Sequence, residues 1–139
     1  MRFHHTPIPA VVILTLIATI LISCGSNSDT GRALISISVT PATADALNYP
    51  SGQVVYAVTG TFSKAPLTGP VSFTSPYQGS FFVANPLNEV VANVVATGDG
   101  TATVQCTSDG FTTVNVVANA AANNGSSAIV TGTASITCP

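Results

Sequence analysis

The chain has 139 residues, of which 6% are charged and 46% hydrophobic; its mean hydropathy is +0.51 and it has no tryptophan. An average soluble domain carries roughly 25% charged residues. Three Lys+Arg against five Asp+Glu cannot build a basic patch, which argues against a nucleic-acid partner. The many β-branched residues argue against a disordered tail, and the length suits one domain with an appended segment.

Met1 to Pro9 is a short start carrying Arg2, His4 and His5, and Ala10 to Ile22 is an uncharged run of thirteen residues. As a helix that run spans about 20 Å, short of the ~30 Å hydrocarbon core. A positive start before a short apolar run reads as a signal peptide over residues 1–23, not a transmembrane helix. Leu21-Ile22-Ser23-Cys24-Gly25 resembles the lipobox of bacterial lipoprotein signal peptides. The resemblance implies that the signal peptidase recognises Leu21, Ser23 and Gly25. It also implies that the Cys24 thiol takes a diacylglycerol and becomes the new N-terminus, with palmitate-type acyl chains. Two or more such chains hold a protein firmly on a membrane where one does not. An Asp after the cysteine favours inner-membrane retention in this family. Gly25 at that place implies delivery to the outer membrane if the cell has two. Cleavage removes both histidines and leaves Arg32 and Lys64 as the basic residues, against Asp29, Asp45, Glu89, Asp99 and Asp109.

Residues 24–33 are small and polar and read as a lipidated, flexible tether. From residue 34 to residue 139 the apolar period is two. Ile35, Ile37 and Val39 share one face of a first strand that Pro41 ends. Val54, Tyr56, Val58 and Phe62 share a face of a second, with Gly60 between the last two. Val71 to Thr74 reads as a third, bracketed by Pro70 and Pro76. Val90 to Thr97 is a fourth. Thr101 to Thr107 is a fifth, after the Gly98-Asp99-Gly100 turn, with Ala102, Val104 and Cys106 on one face. Ser108-Asp109-Gly110 is the next turn signal. Phe111 to Ala120 and Ala128 to Cys138 form the last pair, joined around Asn123-Asn124-Gly125. About seven strands with turn signals at short intervals and no helical pattern predict an all-β fold, an immunoglobulin-like β-sandwich.

Several stretches resemble the bacterial immunoglobulin-like domains of surface adhesins, the invasin and intimin type. They are Ile37-Ser38-Val39-Thr40-Pro41-Ala42, Gly52-Gln53 with Thr59-Gly60-Thr61-Phe62, Pro70-Val71-Ser72-Phe73, Gly100-Thr101-Ala102-Thr103-Val104 and Thr113-Val114-Asn115-Val116. The segment from Pro76 to Asn93 matches no part of that pattern. The resemblance implies a structural or adhesive role at the cell envelope.

With Cys24 lipidated, Cys106 and Cys138 remain, and an even pair in an exported chain suggests a disulfide. Both lie on the apolar faces of their strands. In an immunoglobulin-like order both reach the same pole, where the bond crosses between sheets and pins the C-terminus.

Chemistry-bearing constellations are sparse. With no histidine after cleavage, Ser-His-Asp and Cys-His arrangements are excluded. Lys64 lies between Ser63 and Ala65-Pro66 and reads as a solvated charge. Asp99 and Asp109, each followed by Gly, read as turn residues and not as a catalytic carboxylate pair. No Asp-x-Asp run suggests calcium, and no cofactor or metal is expected. Two features suit binding. Tyr77, Phe81 and Phe82 either form a recognition patch for a protein or glycan or cap the end of the sandwich. A threonine face of Thr101, Thr103 and Thr107 with Thr131, Thr133, Ser135 and Thr137 suits a flat ligand, or is an ordinary strand exterior. The composition and sites together predict a non-enzymatic, membrane-anchored module.

Overall fold

The structure, a computed structural model, describes residues 31–87, 89–107, 111–123 and 125–139. The signal peptide, the lipobox residues Leu21, Ser23, Cys24 and Gly25, most of the tether, the Ser108-Asp109-Gly110 turn and Asn124 lie outside the described residues. Within them the alternation of apolar and polar side chains produces nine strands. These are β1 (Leu34–Thr40), β2 (Thr43–Asp45), β3 (Gln53–Phe62), β4 (Thr68–Pro70), β5 (Gly79–Ala84), β6 (Ala92–Gly98), β7 (Thr101–Cys106), β8 (Thr112–Ala121) and β9 (Ile129–Cys138). One sheet has the order β1-β3-β7-β6 with β4 also on β3; the other has the order β2-β9-β8-β5. This is a β-sandwich. Its strand order, β1-β3-β7-β6 against β9-β8-β5, is that of the immunoglobulin arrangement, with β2 a second piece of the first strand in the other sheet and β4 an addition beside β3, giving five strands against four. The break between β1 and β2 falls at Pro41, and β2 then pairs parallel with β9.

The clearest alternation gives the clearest burial. Val54, Tyr56, Val58, Gly60 and Phe62 of β3 all point inward, and every residue between them is exposed. Ala102 and Val104 of β7, and Ala134, Ile136 and Cys138 of β9, meet them from both sides. No polar or charged residue is buried among the described ones. The core is therefore apolar apart from tyrosine hydroxyls that have partners, and that of Tyr56 donates to the Ser135 carbonyl at 2.9 Å. That bond ties β3 of one sheet to β9 of the other.

Three expectations are corrected. The first strand does not keep Ile35, Ile37 and Val39 on one face. Its pairing with β3 shifts between Leu34 and Ser36, and a bulge there adds one residue and inverts the parity. Leu34 is buried and Ile35 exposed in consequence. Val71 to Thr74 is not a strand. The ladder bonds of β3 are taken by Thr68–Pro70, where Pro is tolerated because β4 is short and at an edge. Beyond it, the Val71 N–H reaches the Val58 carbonyl at 3.3 Å, and the Phe73 N–H turns to the Asp99 carboxylate at 2.7 Å. The unplaced segment after Pro76 contains β5, which pairs with β8 from Gly79↔Ala120 to Ala84↔Asn115. With β2, β4 and β5 added and Val71 to Thr74 removed, the count rises from seven to nine.

Gly100 and Gly132 mark close approaches between elements. Gly100 has φ +64, and a Cβ there would lie 2.0 Å from the Val71 carbonyl oxygen. The crossover between the sheets therefore passes directly over the β6–β7 turn. At Gly132, a Cβ would lie 2.6 Å from Ile37 Cγ2, so β9 and β1 of opposite sheets come together there.

The strands run between two poles. At one, Arg32, Leu34, Phe62, Tyr77 and Ala122 gather. At the other, Cys106 and Cys138 form a disulfide with their Cα atoms 5.5 Å apart. It joins the end of β7 in one sheet to the end of β9 in the other, as parity and topology predict.

Replacing Cys106 and Cys138 together by Ala should lower the unfolding free energy by about 3–4 kcal/mol, the chain-entropy value for a loop of this size; guanidinium denaturation measures it. A second expectation concerns Tyr56. Burial, with the neighbouring Tyr49 adding to it, pushes the Tyr56 pKa up to about 12, whereas a tyrosine in an unfolded chain ionises near ~10. The folded state thus keeps a proton that the unfolded state releases. This stability is complete below about pH 10 and is lost as the pH rises through about 12. Tyr56→Phe should cost about 1 kcal/mol at neutral pH and flatten the alkaline decline, as denaturation curves collected from pH 7 to 12 would show.

Candidate functional site

The predicted aromatic group does not form one surface. Tyr77 is 4% exposed and Phe81 8%, while Phe82 remains 44% exposed. Tyr77 follows the crossover and turns inward, where its ring lies 5.4 Å from that of Phe62 and its hydroxyl donates to the Arg32 carbonyl. Phe81 is an inward residue of β5, and its ring packs 5.2 Å from that of Phe73. Phe82, the next residue, points to the outer face beside its register partner Val117. Simple alternation along β5 separates the two phenylalanines, but that strand is not legible without its partner β8.

Phe73 and Phe81 instead floor a cleft between the edges of the two sheets. Its volume is about 390 Å³, and it is lined by Thr74, Gly79, Ser80, Thr97, Gly98 and Asp99 besides the two rings. The crossover from β4 to β5 forms one wall and the β6–β7 turn the other. The Asp99 carboxylate holds them together by accepting the Phe73 N–H, and the Phe73 carbonyl accepts the Gly79 N–H at 3.4 Å. The cleft offers aromatic carbon, three hydroxyls and one carboxylate. That set suits a polyol or an amine and disfavours an anion.

The threonines fall into two groups on opposite sides. Thr101 and Thr103 belong to β7, whereas Thr131, Thr133, Ser135 and Thr137 belong to β9 in the other sheet. The outer faces of a sandwich point apart, so no single threonine plane exists. On β9 the hydroxyls pair with neighbours instead: Thr137 with Thr113 at 2.8 Å and Thr131 with Asn119 at 2.8 Å.

The tether pole is more ordered than its composition suggests. The Arg32 guanidinium sits 3.6 Å above the Phe62 ring. Its Nε donates to the Lys64 carbonyl at 3.2 Å, and its Nη2 donates to the Pro66 carbonyl. Ala33 and Ser63 exchange bonds, the Ala33 N–H to Ser63 Oγ and the Ser63 N–H to the Ala33 carbonyl. Arg32 and Ala33, read as tether from composition, are thus clamped to the β3–β4 connection.

The opposite pole carries the exposed apolar tips. Leu47 lies in the turn after β2, Leu87 and Val90 in the β5–β6 connection, and Phe111 immediately before β8; all four are exposed. Asn85 braces the β5–β6 connection from within. Its Oδ1 accepts the N–H groups of Val91 and Ala92, and its Nδ2 donates to the Ala92 carbonyl.

The acids are spent locally. Asp45 accepts the Leu47 N–H at 3.0 Å, and Asp99 holds Phe73. Among the described residues no three His, Cys, Asp or Glu side chains gather where a metal ion could sit. Compared with protein-family models, curated proteins and solved structures, the chain matches none.

Asp99→Ala should release the wall of the cleft. We expect a loss of about 1 kcal/mol, the usual worth of one hydrogen bond. Amide exchange at Phe73 should become faster while the Tyr56 amide keeps its protection, and hydrogen-exchange mass spectrometry would show the contrast.

Proposed function

We propose that this chain is a non-enzymatic, lipid-anchored protein of a bacterial cell envelope whose sandwich serves structural or adhesion-like contacts with proteins or surfaces. The observation that carries the reading is the position of Cys24. It closes an uncharged run in a lipobox-like sequence, eight residues before the Arg32 clamp. In this reading the diacylglyceryl group on Cys24 holds the chain on the membrane, the outer membrane where the cell has two.

The sandwich supports an interaction role through its polarity. The chain enters the fold beside Arg32, and Leu47, Leu87, Val90 and Phe111 sit at the other pole. A lipid at the first pole would hold those tips away from the membrane, where exposed apolar side chains can meet an envelope or extracellular partner. A second reading, a module that binds a glycan or small ligand, is favoured by the cleft over Phe73 and Phe81.

Cys24→Ala tests the anchor. The variant should leave the membrane fraction or persist uncleaved, with the same thermal unfolding transition. Mass spectrometry of the N-terminal peptide should lose the lipid adduct. An acyl group still present on the variant would refute the proposal.

A further inference from the structure

Among the described edge strands, β5 lacks every usual guard. Sheet edges are ordinarily protected by shortness, charge, proline or a bulge. Here β2 has three residues and ends in Asp45, β4 has three and ends in Pro70, β1 is bulged near Leu34, and β6 is irregular between Val94 and Ala96. By contrast β5, Gly79-Ser80-Phe81-Phe82-Val83-Ala84, has six residues in regular register, no charge and no proline. It pairs with β8 on one side only.

The phase of its backbone identifies the groups on the open side. The Gln78 carbonyl accepts the Ala121 N–H across the β5–β8 ladder. In an antiparallel ladder hydrogen-bonded residues alternate, so Ser80, Phe82 and Ala84 turn their amides toward β8. Gly79, Phe81 and Val83 turn theirs outward. The Gly79 N–H is already taken by Phe73. Phe81 and Val83 therefore carry the outward amides of the strand.

We propose that this edge binds a second copy of the same chain, β5 pairing antiparallel with β5 about a two-fold axis at Phe82. Self-complementarity is the argument. About that axis Phe81 stands opposite the partner's Val83, and Val83 opposite the partner's Phe81. Each is then a hydrogen-bonded pair, so the four outward groups are satisfied reciprocally. A register centred on Phe81 would instead require the Gly79 amide that Phe73 occupies. The chosen register also places the two exposed Phe82 rings against one another on the outer face, in a non-hydrogen-bonded pair where side chains come closest. Ser80 stands opposite the partner's Ala84. No charge on either strand opposes the approach. The pairing joins two four-stranded sheets into one of eight and does not depend on the lipid anchor.

The test uses the complete protein in detergent solution, with the wild type run in parallel to subtract any linkage through its own cysteines. Non-hydrogen-bonded partners have Cα atoms about 4.5 Å apart, within disulfide reach. Phe82→Cys should give a disulfide-linked dimer on air oxidation. Ser80→Cys alone should give at most about a tenth as much, whereas Ser80→Cys mixed with Ala84→Cys should restore it. Sedimentation velocity on the wild type should show a closed monomer–dimer equilibrium. Phe82→Lys should shift its dissociation constant upward at least about tenfold with an unchanged circular-dichroism spectrum, and Ser80→Lys should do the same if Phe82→Lys fails to fold. A wild type that stays monomeric up to about 100 μM, open-ended association, or equal cross-linking at positions 80 and 82 would overturn the proposal.

Discussion

The link between the ends of β7 and β9 organises this sandwich. A 139-residue chain with 6% charged residues has little electrostatic means of specifying how its two sheets meet. The Cys106–Cys138 bond does so covalently, one sulfur from each sheet. It lies at the edge of a core in which Val54, Val104 and Ile136 are fully buried. With that pole closed, the carbonyl of Val91 packs 3.5 Å from Cys138 Sγ, which draws in the start of β6. A second inter-sheet tie, Tyr56 to Ser135, is a single neutral hydrogen bond and contributes about 1 kcal/mol. The disulfide is the larger constraint.

Legibility in the sequence followed how locally each feature is determined. β3 and β9 are readable because both have one inner face of alternating apolar residues, and the parity of β7 and β9 also points to the cysteine pair. The bulge at the start of β1 was not readable, because a bulge arises from how two strands meet and leaves no mark on the alternation itself. β5 is not legible in the sequence for a related reason. Phe81, Phe82 and Val83 are a short apolar run without period, and only the partner β8 decides which ring turns inward. β2 is three residues long and owes its state to β9. The cleft beneath Phe73 and Phe81 comes from segments distant in the chain, Asp99 reaching back to Phe73, and spacing in the sequence carries no trace of it. The Arg32 clamp had one sequence signal, a lone arginine before the first strand, and composition assigned it to the tether.

Among the described residues, four of the five charges lie toward the poles, and Asp99 sits in the β6–β7 turn between them. Arg32 and Lys64 stand where the chain enters the fold, while Asp45 and Glu89 lie toward the disulfide pole. Nothing comparable separates the long faces of the sheets, which carry Ser, Thr and Asn together with exposed apolar side chains such as Ile35, Val55 and Phe82. Such faces rely on geometry to limit association. The short strands, the terminal Pro70 and the bulges supply it at β1, β2, β4 and β6, and β5 has none of them.

The placement of the two ends has a mechanical side. The polypeptide enters at the start of β1, beside the end of β3, and Pro139 follows β9 at the opposite pole. Tension between those points runs parallel to the strands. The hydrogen bonds of the β1–β3 and β8–β9 ladders lie across that line, so they share the load in shear and do not unzip one by one. The C-terminal end of this path is additionally riveted by a covalent bond. Under a steady pull the lifetime of the fold is set by its unfolding rate, and this arrangement makes extension along the pole axis its most resistant direction.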